Sequence, residues 1–433
     1  MASTYGLGVF NDQFFKQAAM LIAVAAGLAA YQGYGTILFT VPFIIFAAPA
    51  GWMADRFSKR SVIIGAKALE LVAMVAGAIG IYLTSWPLIF LMLFLMATQS
   101  AIFSPALNGS IPELYPAQWV AKANARLRVF VTMAILAGVA AAGPVLYIHA
   151  DPPAPESTAF AEASEELAPS KSSLPEPKKE WTPSLYGKGA VAIAVVAIAL
   201  FGLVWSLGVP KFAAANPKAP FPYWGPFYTV IALIEIARDR LLSTCVLGNA
   251  AVWGLANLQY LLINTLGGKQ YQLGGKTSYL VATELVGIAI GGLLAGRYCK
   301  GDRWYKYLVP SGLVLTLALL AMPAVTYIDT PHQWCWFFPL LLIVGIGGGL
   351  MMIPMEAFIQ IRPAPEKKGE VWASANFCVF TGILLSGPFF ILLDESLEWS
   401  PTTGFAAAGG MAFVVTLYLF LALPKRPAGA TNG

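Results

Sequence analysis

The chain has 433 residues, 58% of them hydrophobic and 11% charged, with a mean hydropathy of +0.68 and a formal net charge of +5. Soluble domains carry about 25% charged residues, so this composition excludes a soluble globular protein and places the chain in a bilayer. The positive balance does not indicate nucleic acid, because Lys and Arg collect at the ends of apolar segments and not along one polar face.

A helix of about 20 apolar residues crosses the roughly 30 Å hydrocarbon layer. Twelve such spans are predicted, at 3–28, 35–55, 61–84, 86–112, 119–148, 188–209, 241–265, 277–297, 305–328, 333–360, 370–394 and 402–424. The first begins YGLGVFNDQFFKQAAMLIA and carries Asn11, Asp12, Gln13 and Lys16 in an otherwise apolar run. A carboxylate in the membrane costs about 2.5 to 3.5 kcal/mol on insertion scales, which makes Asp12 a functional candidate. The competing account pairs Asp12 with Lys16 at i, i+4 on one helix face.

The second span closes on GWMADRFSKR, with Gly51, Asp55, Arg56, Lys59 and Arg60, and the eighth closes on a degenerate copy, GLLAGRYCKG, with Gly296 at the Asp position. Lys67 and Glu70 in span three stand at i, i+3, the spacing of an internal pair. Span seven places Asn249, Trp253, Asn257, Tyr260 and Asn264 on one face, either lining a wet cavity or bonding to other helices. Gln99, Ser104, Asn108 and Gln259 could extend such a pocket. In span eight Glu284 precedes Gly287, Gly291, Gly292 and Gly296 at small-xxx-small spacing, which predicts close helix packing. Glu356 follows Pro354 in a Gly-rich tenth span, where bending is easiest.

Further echoes support a duplication: Ala123-Asn124 with Ala375-Asn376, Gly143-Pro144 with Gly387-Pro388, and Pro112-Glu113 with Pro354 and Glu356. The predicted organisation is a six-helix bundle over 1–209 with an outer loop at 150–187, a linker with an interfacial helix at 210–240, and a second six-helix bundle over 241–433. Alternate connections are basic, which predicts cytoplasmic termini; Lys269 and Lys276 are exceptions. Four scattered cysteines and two histidines support no disulfide framework, metal or cofactor. No cleavable signal peptide is predicted.

The segment at 51–60 resembles the motif between helices two and three of the major facilitator superfamily. The resemblance implies that Gly51, Asp55, Arg56, Lys59 and Arg60 latch the cytoplasmic side of an outward-open state; topological anchoring by positive charge is the alternative. With FNDQFFKQA, FSPALNGSIPELYP, AKANA and VPKFAAANP, the chain resembles the lysophospholipid transporter family, in particular the transporter half of 2-acylglycerophosphoethanolamine acyltransferase fusions. This implies an all-α membrane protein with twelve transmembrane helices in two pseudo-symmetric bundles. It also implies a flippase, not an enzyme, carrying lysophosphatidylethanolamine from the outer to the inner leaflet of the bacterial inner membrane.

On that resemblance Asp12 attracts the ammonium, with Asn11, Lys16, Asn249, Trp253, Asn257, Gln259, Tyr260 and Glu356 completing the substrate site. An acyltransferase acting on the delivered lipid is the candidate partner. Neither His149 nor His332 opens an H-x4-D acyltransferase motif. Leu107 and Arg128 depart from the family pattern, where Lys and Glu are frequent. Two alternatives stand: a proton-coupled exporter using Asp12, Glu284 or Glu356, and a non-transporting scaffold for an acyltransferase.

Overall fold

The computed structural model describes residues 2–114, 117–150, 182–210, 214, 216–218, 220–223, 225–299, 301–364 and 367–424. Most of the 150–187 loop, Lys211, Lys300, Lys425 and Arg426 lie outside the described residues, as do the side chains of Asn108, Glu113, Asn124, Arg128 and Arg303.

Fourteen α-helices follow one another among those residues: α1 (Ala2–Ala25), α2 (Tyr31–Ile45), α3 (Ala47–Arg56), α4 (Lys59–Leu83), α5 (Trp86–Leu114), α6 (Ala117–Leu146), α7 (Leu185–Ser206), α8 (Gly225–Arg238), α9 (Arg240–Thr265), α10 (Thr277–Tyr298), α11 (Leu308–Ala321), α12 (Phe337–Ile361), α13 (Lys368–Ile391) and α14 (Pro401–Ala422). Polar side chains start several of them. Ser58 accepts from Ser61 N–H at 3.2 Å, Ser184 from Gly187 N–H at 2.9 Å, and Asp239 from Leu241 and Leu242 N–H at 3.1 Å each. Such caps satisfy amides that the first helical turn leaves open, each worth about 1 kcal/mol.

Among the described residues ten helices are long and apolar enough to cross a membrane, and α2 with α3, bent by 48° at their junction, count as an eleventh if taken as one span. The expected twelfth is α1, which is long enough but falls outside that set, because Asn11, Asp12, Gln13, Lys16 and Gln17 dilute its apolar character. Composition therefore yields ten or eleven spans, and α1 must be held by its protein neighbours. It packs along α6 and α7, with Asn11 and Gln17 buried.

Two groups of helices repeat one packing scheme. In the first, α1 lies on α6, α4 on α5 and α7, and α2 on α5; in the second, α9 lies on α13, α11 on α12 and α14, and α10 on α12. Each has its own core, around Phe15, Met74 and Met92 in the first and Leu258, Phe337 and Phe405 in the second. The groups meet through two related contacts, α2 with α13 and α6 with α10, while α1 and α9 touch between them. Where α10 meets α12, Gly287 and Gly291 lie directly on the backbone around Gly345 and Gly349, the close packing that the glycine spacing predicts.

Candidate functional site

The two groups are zipped together at the end away from the basic loops. Gln17 of α1 donates to Asn264 Oδ1 of α9 at 2.8 Å and to Ser278 Oγ of α10 at 3.3 Å, and Gly143 N–H of α6 donates to the same hydroxyl at 3.1 Å. Gln32 of α2 donates to Thr265 Oγ1 at 3.0 Å. Gly33 and Gly387 let α2 and α13 approach backbone to backbone, and Gly143 and Gly275 do the same for α6 and the turn before α10. All of these amides and hydroxyls are buried. In hydrocarbon an unmade polar contact is costly, so this seam holds its end shut.

Directly beside the seam, the face of α9 that carries the polar stripe looks at the first group. Asn257 Nδ2 donates to Ser386 Oγ of α13 at 2.9 Å and reaches Thr36 Oγ1 of α2 at 3.5 Å. The ammonium of Lys16 lies 4.8 Å from the Phe39 ring centre and 4.9 Å from that of Tyr260, one ring from each group. Further along the stripe, Trp253 Nε1 donates to Glu356 Oε1 of α12 at 3.1 Å. The structure thus gathers Lys16, Asn257 and Tyr260 between the helix groups, with the Trp253–Glu356 pair further along α9. Within the stripe, Asn257 and Asn264 bond to neighbouring helices.

The other expected site residues sit elsewhere. Asn11 is fully buried and donates to Val195 O of α7 at 3.0 Å. Asp12 turns to α5, accepting from Ser100 Oγ at 3.1 Å and from Gln99 Nε2 at 3.5 Å, in the field of Glu70 and Lys67. It makes no ion pair with Lys16, although four residues separate them, because Lys16 leans toward α2 and α9. Lys67 Nζ and Glu70 Oε2 form a buried pair at 2.5 Å. Asn249 and Gln259 are buried, and Glu284 is buried against α12.

The Asp55 side chain is exposed and makes no hydrogen bond or ion pair among the described residues; its backbone carbonyl accepts from Asn216 N–H at 2.9 Å. Nothing lies within 4 Å of where a Gly51 Cβ would be. Arg60 donates to Leu207 O at 2.9 Å, tying α4 to the end of α7, and Arg56 lies over the Trp52 ring at 5.4 Å. Lys59 is buried at the start of α4. The site residues missing from the sequence reading are Gln17, Gln32, Thr36, Phe39, Ser278 and Ser386. Gln32, Thr36 and Thr40 recur every four residues, a polar stripe on α2 that mirrors the one on α9.

Paired helix bundles, a shut seam at one end and polar side chains between them describe a membrane transporter. The Major Facilitator Superfamily profile matches residues 5–387 and 274–433, and the chain belongs to that family. Its relatives include the "Lysophospholipid transporter LplT" of Yersinia enterocolitica, 26% identical over 330 residues that cover 75% of this chain and 68% of the relative. The LplT of Escherichia coli strain K12 / DH10B is 24% identical over 366 residues, 82% of this chain and 78% of the relative. Among solved structures, a POT family transporter in complex with 5-aminolevulinic acid aligns with a TM-score of 0.67 at 12% identity, over 97% of this chain and 95% of that one. A mutant of the nucleoside transporter NupG aligns with a TM-score of 0.65 at 13% identity, over 98% and 100%. The chain is a multi-pass membrane protein of this fold.

Proposed function

We propose that the protein is a lysophospholipid transporter that moves lysophosphatidylethanolamine-like lipids from the outer to the inner leaflet of the bacterial inner membrane. Residues 1–209 and 241–433 rock as two bodies, joined by the 210–240 linker, with both termini cytoplasmic. The observation that carries this reading is the polar region built from both bundles, holding Lys16 from one and Glu356 from the other, beside an amide-sealed end. Such a region solvates a head group while the acyl chain stays against apolar helix faces. The named relatives supply the lipid class. Delivery to the inner leaflet would place the lipid before an acyltransferase that restores the missing chain. Gly51, Asp55, Arg56, Lys59 and Arg60 form the latch of the opposite state; here the Asp55 carboxylate stands exposed while Arg60 donates to Leu207 O.

The test uses liposomes holding this chain alone and lysophosphatidylethanolamine labelled in one leaflet. Accelerated movement of label is expected; none would favour the scaffold reading. One observation favours a second reading, the proton-coupled exporter: Asp12 lies buried beside the Lys67–Glu70 pair, two carboxylates to one ammonium. A protonophore separates the readings, since an exporter of that kind stops when the gradient collapses.

A further inference from the structure

We propose that Lys16 senses the phosphate of the lipid: its ammonium ties the two bundles together through the Tyr260 ring, and a phosphate that takes the ammonium releases that tie. The inference rests on the transport reading above and says how the cargo itself loosens the sealed end. Lys16 is half-buried and makes no ion pair or hydrogen bond among the described residues; its partners are the Phe39 and Tyr260 rings, at 4.8 and 4.9 Å. Asp12, one turn earlier, is engaged with Ser100 and Gln99 on α5. Lys67, inside the first bundle, is by contrast met by Glu70. An ammonium has three N–H donors, and rings steady its charge without accepting a conventional hydrogen bond. Inside a bilayer such a cation calls for an anion, and the anion a lysophospholipid brings is its phosphate.

The ring contact stands where it acts on the seam. Phe39 on α2 belongs to the same bundle as Lys16, so of the two rings only Tyr260 on α9 joins one bundle to the other. The next residue of α1, Gln17, donates to Asn264, which lies one turn beyond Tyr260 and donates in turn to Tyr260 O at 3.1 Å. Lys16–Tyr260 and Gln17–Asn264 are therefore consecutive links between the same two helices. A charge-assisted hydrogen bond to phosphate outweighs a cation over a ring, so phosphate draws the ammonium off the rings and not the reverse. Loss of the Tyr260 contact removes one link between α1 and α9 and leaves the adjoining seam with fewer contacts to break. Binding and opening are then coupled, because phosphate binds more tightly where the ring contact is already broken. No part of the head group beyond the phosphate enters this step.

The experiment reads the distance between spin labels at Ala26 and Ser396, exposed at the sealed end on opposite bundles, in neutral detergent. Lysophosphatidylethanolamine and lysophosphatidylglycerol should both enlarge the longer-distance population. Monoacylglycerol, which lacks the phosphate, and inorganic phosphate, which lacks the acyl chain, should not. Tyr260→Leu should enlarge that population about two- to five-fold before any lipid is added, the worth of one cation–ring contact. Concentration-dependent flipping in liposomes then separates the tie from the phosphate contact. Tyr260→Leu should lower the KM for lysophosphatidylethanolamine, since no ring contact has to be given up, whereas Lys16→Gln should raise it about ten-fold or more. Recovery in Lys16→Arg separates lost binding from lost fold. An equal response of the labels to monoacylglycerol overturns the phosphate assignment, and an equal response to inorganic phosphate overturns the lipid as its source. If wild type flips lysophosphatidylethanolamine but Lys16→Gln leaves its KM unchanged, the sensor is overturned while transport stands. If wild type flips no lysophospholipid, the transport reading falls and takes the sensor with it.

Discussion

Lys67 illustrates how strictly charge is kept inside the first bundle. Its side chain is 2% exposed and that of Glu70 is 1% exposed, with the Phe103 ring 5.3 Å from the ammonium. Removing one partner of a buried pair leaves an uncompensated charge, costing about 3 to 5 kcal/mol, whereas replacing both by apolar groups is often neutral. Lys67→Met should therefore lower the thermal unfolding temperature sharply, because Glu70 and Asp12 then face each other with no cation. Adding Glu70→Leu should recover most of the loss. Thermal scans of the purified variants check both outcomes. Asp12 itself faces α5 and this pair, so Asp12→Asn should leave the KM for lysophosphatidylethanolamine unchanged, read in the same flipping assay. A rise comparable to that of Lys16→Gln would return Asp12 to the substrate path.

Helices meet here through glycines at one seam and through surface charges at another, and the two respond to different perturbations. A Cβ at Gly345 would drive into the backbone carbonyl of Glu284 and the Cα of Gly287, while one at Gly348 meets nothing within 4 Å. Gly345→Ala should destabilise by about 1 to 3 kcal/mol through overpacking, and Gly348→Ala should be neutral or stabilising, since alanine favours the helix. At the basic end, α8 is tied to the turn between α12 and α13 by Lys367–Glu235 at 2.6 Å and Arg362–Asp239 at 2.8 Å. The Lys367 hydrogen bond holds the Glu235 carboxyl below its ordinary value of 4.5. Burial pushes Asp239 up, but Arg362 and the α9 amides outweigh it and hold it below 3.8. Glu235 in turn raises Lys367 above 10.5. Depressed carboxylates contribute above their unfolded values and lose that contribution as pH falls through the folded ones; the raised lysine contributes below 10.5 and loses it only above. The ties should thus persist through neutral pH and release only as pH falls below the ordinary carboxylate range, and high salt should weaken them because they are exposed. Distances between spin labels at Ala237 and Gln360 report this directly. Helix positions and the glycine seam were legible in the sequence, because apolar runs and small-residue spacing act locally. The aim of α1 was not. Asp12 and Lys16 are separated by one turn, and in a bundle surrounded by lipid both faces of a helix are apolar, so periodicity does not say which side meets which neighbour. Gln32 and Thr36 escaped for a related reason: their partners lie more than 100 residues away, on α9.

The whole molecule has one end sewn shut and the Asp55 carboxylate exposed, and on the proposed transport cycle those facts are linked. Alternating access requires that contacts closing one end be absent when the other closes, since each state persists only by interactions the other lacks. Gln17, Gln32, Asn264 and Ser278 supply the closing contacts on one side. On the other, Asp55 is exposed with no partner for its carboxylate among the described residues, although it stands at the end of α3, which the linker touches through Asn216. The Asp55 carboxylate makes no hydrogen bond or ion pair among the described residues, and on the proposed cycle it stabilises the opposite state by meeting the positive N-terminus of a helix of the second bundle when the basic end closes. Asp55→Asn should then leave the seam intact and depopulate the alternative. A helix-terminus contact of about 0.3 to 1 kcal/mol corresponds to about a two- to five-fold shift. The measurement places a cysteine at Val24, buried at the sealed end beside Gly268, in a background lacking Cys245, Cys299, Cys335 and Cys378. Its labelling by an impermeant maleimide should slow about two- to five-fold in Asp55→Asn, because the seam opens less often. Labelling at the wild-type rate would reduce the motif to a topological anchor and leave the opposite state to be held by contacts elsewhere along α2 and α13.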